Sequence, residues 1–307
     1  MKRIKVIFNP VAGRGYSGRV ESEICRYLKE AGLDFDLVYS ERKGHAIELA
    51  EQAVGDGFEI IAAAGGDGTT NEVINGLMAA SKKNNKVNYS LALFPTGSGN
   101  DFTYSAGVPA DFKEVCRLIA KGKTRIVDLG KVSIPGKEPR YFDNQLGIGF
   151  DGVVTLEARK FKRVRGMALY LPVVLKTVFL TNKATRVTIE YDDKKLELPT
   201  VQVSVANGRR EGGGFYMAPG AKLDDGYFDL IIVGEIGKLA MLGIISKFMK
   251  GTHTEHKATI TKRAKKITIT SEDDLIAHFD GEMLCTDGHR IECEIVPQCL
   301  RVFGNPD

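Results

Sequence analysis

The chain has 307 residues, 43% of them hydrophobic and 27% charged, and its 43 Lys and Arg against 39 Asp and Glu leave a net charge of +4. This excludes a disordered, collagenous or coiled-coil chain, and the length suggests two domains. The charge is too small to argue for nucleic acid, so any basic partner site has to be local.

Ile4 to Phe8 is a short β-branched run that reads as a strand. A Gly-rich loop follows, then a helical pattern with Val20, Ile24, Tyr27 and Leu28 on one face, ended by Ala31-Gly32. Phe35 to Tyr39 predicts a strand, His45 to Val54 a helix and Glu59 to Ala64 a buried strand. A helix through Val73, Ile74, Leu77 and Met78 precedes a fourth strand at Leu91 to Phe94. This alternation predicts a parallel sheet covered by helices.

Near residue 125 the pattern changes to short strands, among them Arg186 to Tyr191, Val201 to Val205, Phe228 to Val233 and Lys266 to Thr270. These predict a β-rich, antiparallel, sandwich-like second domain, interrupted by helices at Gly166 to Leu180 and Lys238 to Met249. The five cysteines, Cys25, Cys116, Cys285, Cys293 and Cys299, form no C-x-x-C pair. Neither a zinc site nor a disulfide framework is expected, which suits a reducing compartment. The first apolar run is too short for a signal peptide. No window reaches ~20 uninterrupted apolar residues, so no membrane span is expected.

Gly65-Gly66-Asp67-Gly68-Thr69-Thr70-Asn71-Glu72 joins a buried strand to a helix. Glycines there let the backbone approach a ligand closely. A helix N-terminus offers free N–H groups and partial positive charge to an anion such as phosphate. Thr69 and Glu72 have capping-box spacing and are expected to mark the helix start. Asp67 beside a phosphate would be repulsive unless it meets a divalent cation or accepts a proton, which points to phosphoryl transfer. The plainer reading is a tight turn capped by an aspartate.

Two other loops, Asn9-Pro10-Val11-Ala12-Gly13-Arg14-Gly15 and Pro95-Thr96-Gly97-Ser98-Gly99-Asn100-Asp101, leave the same end of the expected sheet. Ligands of open α/β sheets bind outside the carboxyl ends of the strands. Gly13-Arg14-Gly15-Tyr16-Ser17-Gly18 matches the dinucleotide fingerprint, but Asn9 to Ala12 separate it from the strand, so the match is incidental. Gly122-Lys123-Thr124 lacks the first glycine of a Walker A loop.

In the second domain, His278-Phe279-Asp280-Gly281-Glu282 puts carboxylates at a strand end, where one could deprotonate a hydroxyl or simply make a hairpin turn. Lys222-Leu223-Asp224-Asp225-Gly226-Tyr227 is either a cation loop or a turn. Five cations in Arg159 to Arg165 precede an apolar helical stretch, a make-up suited to an anionic membrane surface or to a core helix with solvated charges. Nucleic acid is not expected as a partner, because no aromatic-rich sheet motif accompanies the basic run.

The sequence resembles the diacylglycerol kinase catalytic-domain family, which includes bacterial lipid kinases and sphingosine kinases. The carriers are Asn9-Pro10 with Gly13, Gly44-His45-Ala46, Gly65 to Thr69, Gly97 to Phe102, Asn207-Gly208, Ala218-Pro219, Asp224-Asp225-Gly226 and Asp280-Gly281-Glu282. The resemblance implies a lipid- and NAD-kinase-like fold, with a nucleotide-binding domain at 1–125 plus about 296–307 and a lipid-substrate domain at 126–295. It implies ATP- and Mg-dependent transfer of the γ-phosphate to a lipid hydroxyl, diacylglycerol to phosphatidic acid, in a site between the two domains. ATP would lie on Asn9, Pro10, Val11, Ala12, Gly13, Ser40, Gly65 to Glu72 and Ser98. Asp280 or Glu282 would be the base, with Asp67 near magnesium. A structural magnesium would be held by Asp225 and the carbonyls of Lys222 and Tyr227. Ser98, Thr103 and Ser40 depart mildly from the family's usual Thr, Ala and Thr.

The same reading implies a cytoplasmic enzyme, peripheral on the inner face of the membrane, with a homodimer left open. An NAD kinase shares the Gly-Gly-Asp-Gly element and is the second reading. A non-catalytic lipid- or nucleotide-binding module is the third, opposed by the retained Asp67, Asp280 and Glu282.

Overall fold

In the computed structural model of the chain, residues 3–84, 89–160, 167–181 and 184–305 are described, with their side chains except at 84, 167–170 and 180–181. The chain divides into two units, Met1–Asp128 with Pro297–Asp307, and Leu129–Val296.

The first unit runs β1 (Ile4–Phe8), α1 (Ala12–Glu30), β2 (Phe35–Tyr39), α2 (His45–Gly55), β3 (Ile60–Gly65), α3 (Asp67–Asn84), β4 (Ser90–Pro95), α4 (Asp101–Ser105) and α5 (Phe112–Ala120). The strands pair in parallel in the order β2-β1-β3-β4. Every residue of β3 is buried. A parallel strand covered on both faces needs such an unbroken run of Ile, Ala and Gly. Val20, Ile24 and Leu28 are the buried stripe of α1, and α5 buries Phe112, Val115, Cys116, Leu118 and Ile119.

The unit is completed from far along the chain. The end of β13 (Glu282–Phe303) lies parallel to β4, with Val302 opposite Leu91. Buried Asp128 accepts the Gln298 N–H at 2.7 Å, at a residue with φ +48°.

Within the second unit lie β6 (Arg140–Phe142), β7 (Gln145–Gly149), α6 (Phe150–Ala158), α7 (Met167–Thr181), β8 (Thr185–Tyr191), β9 (Lys194–Ala206), β10 (Phe228–Gly234), α8 (Lys238–Lys250), β11 (Thr259–Ala264) and β12 (Lys266–Phe279). β5 (Thr124–Ser133) enters it from the first unit and pairs with β6. Its strands pair antiparallel in the order β11-β10-β9-β7-β12-β13, and β8 pairs with both β9 and β12.

β10 shows how period-two alternation builds two cores from one strand. Phe228, Leu230 and Ile232 enter a core with Phe142, Val203, Val205 and Ile269. Ile231 and Val233 face a second core made with Val154 of α6, Val174 of α7 and Ile244 of α8. A third helix, α6, therefore joins the two that periodicity predicts.

Candidate active site

The three Gly-rich loops of the first unit meet. Asn9 donates its Nδ2–H to Thr69 Oγ1 at 2.9 Å, and its backbone N–H to the Ala64 carbonyl at 2.9 Å. Ser17 and Thr96 hydroxyls lie 3.0 Å apart. The second and third loops touch backbone to backbone. A Cβ on Gly66 would lie 2.9 Å from the Gly97 Cα, closer than real Cβ atoms approach, so both positions need glycine. Gly13, Arg14 and Gly15 have positive φ inside the first turn of α1, so this stretch is a loop wound onto the helix start. Ser40, at the end of β2, donates its N–H to the Phe8 carbonyl and so sits beside the first loop.

Asp67 is the first residue of α3 and is held by the third loop. Its Oδ2 accepts the Asn100 N–H at 2.8 Å and its Oδ1 the Asp101 N–H at 2.7 Å. Burial pushes the Asp67 carboxyl above the ordinary aspartate range, and the Asp101, Asn100 and Phe102 N–H groups oppose that rise. A Cβ on Gly99 would lie 2.8 Å from Asp67 Oδ2 and 2.9 Å from Asp101 Oδ2. The missing side chain thus leaves a cradle with two carboxylates on its wall, a donor set that fits magnesium. Asp101 was not expected as a site residue. Its signal was its place at the end of the Gly-Ser-Gly-Asn-Asp run.

Other expected residues have structural partners. Thr70 and Asn71 are buried, and Asn71 Oδ1 accepts from Asn75 at 3.1 Å. The capping box does not form. Thr69 lies inside α3, and Glu72 accepts the Gly44 N–H at 2.8 Å and the Ala46 N–H at 3.3 Å, at the start of α2. Glu72 therefore caps a neighbouring helix, because α2 begins after a glycine that has no side chain to do so. Gly65 is pressed against Thr69, whereas Val11, Gly68 and Ser98 are exposed, and Pro10 and Ala12 are half-buried.

In the second unit, Asp280 and Gly281 both have positive φ and turn β12 into β13, with Phe279 opposite Glu282. Asp280 also anchors the β6–β7 connection, accepting the N–H groups of Asp143, Asn144 and Gln145 at 2.9, 3.1 and 2.8 Å. Glu282 is partly exposed and pairs with Arg159 at 2.9 Å. Asp225 accepts the Tyr227 N–H at 3.1 Å and forms an ion pair with Arg263. Lys222 is exposed.

Of the basic run, Arg159 pairs with Glu282 and Lys160 with Glu157, while residues 161–166 lie outside the described residues. No described helix is long and apolar enough to cross a membrane.

The family comparisons agree with one another. Residues 3–132 match the diacylglycerol kinase catalytic domain, and residues 144–304 match the YegS C-terminal NAD kinase beta sandwich-like domain. A diacylglycerol kinase of Staphylococcus saprophyticus is 34% identical over 92% of this chain and 89% of its own. That of Staphylococcus epidermidis is 35% identical over 92% and 86%. A crystal structure of a diacylglycerol kinase from Bacillus anthracis superposes with a TM-score of 0.75 at 26% identity, covering 99% of this chain and 97% of that one. A second structure from that organism reaches 0.80 at 27% identity, covering 99% and 95%. The class these matches define is a lipid kinase, a transferase acting on a lipid. Within that class, the chain belongs to the diacylglycerol kinase family.

Proposed function

We propose that this lipid kinase transfers the γ-phosphate of ATP to the hydroxyl of diacylglycerol, giving phosphatidic acid. The observation that carries the reading is the Asp67 carboxylate held by the third loop at the N-terminus of α3, where two glycine loops touch. ATP is assigned to Asn9 to Gly13, Ser40, Gly66 to Thr69 and Ser98, with its phosphates toward the first N–H groups of α3. Gly65, Thr70, Asn71 and Glu72 shape that loop from behind.

Asp67 and Asp101 would hold a magnesium ion, which would neutralise charge on the phosphates. The protein's own part is positioning: loop N–H groups orient the phosphates, and glycines admit them. An alcohol is a poor acid, so its proton leaves late, and the base needs no strongly raised pKa. We assign that base to Glu282, because Asp280 commits both oxygens to three backbone N–H groups. Lys222, Asp225 and Tyr227 remain the proposed structural magnesium site, where a cation would compete with Arg263 for the Asp225 carboxylate.

The acceptor lives in a bilayer, so we further propose peripheral docking on an anionic surface. Leu175 and Phe179 of α7 and Leu239 of α8 are exposed, and Lys238 reaches the Phe179 carbonyl at 2.6 Å. Large apolar side chains beside cations suit that interface.

The test is labelled ATP with magnesium over a panel of lipid alcohols in mixed micelles, with NAD as a further acceptor. Diacylglycerol should be labelled most rapidly. Folded Asp67→Ala should lose 10²-fold or more, the order expected for a positioned catalytic group. Labelling of NAD alone would replace this reading.

A further inference from the structure

Three side chains far apart in sequence converge in the second unit. His278 comes from the end of β12, Asp151 from the first turn of α6, and Glu211 from the segment after β9. The His278 Nε2 lies 3.3 Å from Asp151 Oδ2 and 3.3 Å from Glu211 Oε1. One ligand atom from each residue lies within 4.8 Å of the others. His278 is fully buried, and neither of its ring nitrogens makes a hydrogen bond of good geometry.

Two features show that the convergence is built. Gln145 of β7 donates its amide to both carboxylates, at 3.1 Å to Asp151 Oδ2 and 2.6 Å to Glu211 Oε2. An amide donor behind the two carboxylates fixes the direction in which they point. Gly147, two residues on, leaves the space in which they meet. A Cβ there would collide with both Asp151 Oδ2 and His278 Nε2.

We propose that Asp151, Glu211 and His278 form a divalent-cation site for a metal of the Mn²⁺ or Zn²⁺ type. Such ions bind nitrogen and oxygen ligands at ~2.0–2.2 Å, which spaces neighbouring ligand atoms about 3.0–3.5 Å apart. The observed 3.3 Å separations fall inside that range. One imidazole with two carboxylates selects these metals over magnesium, which takes oxygen ligands. Charge argues the same way. The Asp151 and Glu211 side chains are only 14% and 16% exposed, so two carboxylates meet largely out of water. A doubly charged cation cancels what burial would otherwise penalise.

Asp151 and Glu211 also line an apolar cavity of about 50 Å³ with Phe150, Val154, Phe215 and Phe248. The proposal rests on the second unit alone and does not depend on the nucleotide or the acceptor.

The test uses the full chain, stripped with chelator and titrated with Mn²⁺ and then Zn²⁺. Asp67→Ala and Asp225→Ala together serve as the background, removing the two proposed magnesium sites. One Mn²⁺ should still bind, and its pulsed electron paramagnetic resonance spectrum should show coupling to an imidazole nitrogen. Glu211→Gln and His278→Gln should each weaken it by about 100-fold or more, and Gln145→Ala by about tenfold, because it frees the carboxylates to turn. His278→Gln should also abolish the nitrogen coupling. If that variant does not fold, the coupling in the background protein and the Glu211→Gln titration decide the matter. No Mn²⁺ or Zn²⁺ binding in the background protein, or binding without nitrogen coupling, would overturn the proposal.

Discussion

At the scale of single residues, Asp280 and Glu282 look equivalent in sequence and differ in space. Asp280 holds three N–H groups of the β6–β7 connection, so Asp280→Asn should lower the melting temperature. An amide cannot accept at both ends, and a buried donor left unpaired costs ~1–3 kcal/mol. Glu282→Gln removes only charge at a partly exposed position. It should lower kcat at least tenfold with KM for ATP and melting temperature little changed. Unaltered kcat in Glu282→Gln would remove that residue as the base. His253 is a second contrast. It is buried with its ring stacked 3.8 Å from Phe248, and its Nε2 lies 2.9 Å from the Met217 carbonyl. Burial lowers its pKa to about 4, partly opposed by the Met217 carbonyl. Above pH ~6.5 the ring is neutral both folded and unfolded. Between there and pH 4 only the unfolded chain takes up the proton, so stability falls with pH by about 3 kcal/mol. Melting curves from pH 7 to 4.5 should therefore fall less steeply for His253→Gln than for the wild type, and parallel curves would refute the assignment.

At the scale of elements, the strands of the first unit were legible because buried parallel strands write themselves as short, unbroken apolar runs. Ile60 to Gly65 and Leu91 to Phe94 are examples. The glycine loops were legible as loops, but their contact was not. Nothing in the sequence pairs Gly66 with Gly97. Gly97→Ala should cost ~1–3 kcal/mol of stability by overpacking and raise KM for ATP tenfold or more, read by melting and by ATP titration. A normal KM would mean that the loops can part without cost to the site. α6 escaped notice because Phe150-Asp151-Gly152-Val153-Val154 combines a glycine with β-branched residues, a poor helical sequence that packing against the second core overrides. The Thr69–Glu72 spacing misled for a related reason: the motif was local, while the partners of Glu72 came from another helix. The Asp151, Glu211 and His278 cluster carried no local signal at all, since only the antiparallel order of β7, β9 and β12 brings its members together.

For the whole molecule, the composition promised little beyond two domains, and the membrane question is where its surface matters. Leu239 is 82% exposed and Phe179 54%, and the Lys238 ammonium reaches the Phe179 carbonyl, apolar side chains beside a cation as a membrane interface favours. The double variant Leu239→Asp with Phe179→Asp should weaken binding to anionic vesicles tenfold or more, since each apolar side chain is worth ~1.5–3 kcal/mol on burial. Activity on a short-chain, water-soluble acceptor should stay near normal. Wild-type binding by the double variant would move the docking face elsewhere, with the basic run from Arg159 to Arg165 the next region to reverse in charge.

The closing of the first unit by the end of β13 has a consequence in time. β4 is complete at Pro95, but the neighbour that covers its outer side arrives only around Val302. At ribosomal rates of ~5–20 residues per second, roughly 10 to 40 s separate the two. Throughout that interval a largely apolar strand presents an unpaired edge, the arrangement most open to pairing with another nascent chain. The segment around Val302 is thus the seal on a sheet built two hundred residues earlier, and a chain cut before it would keep that edge open.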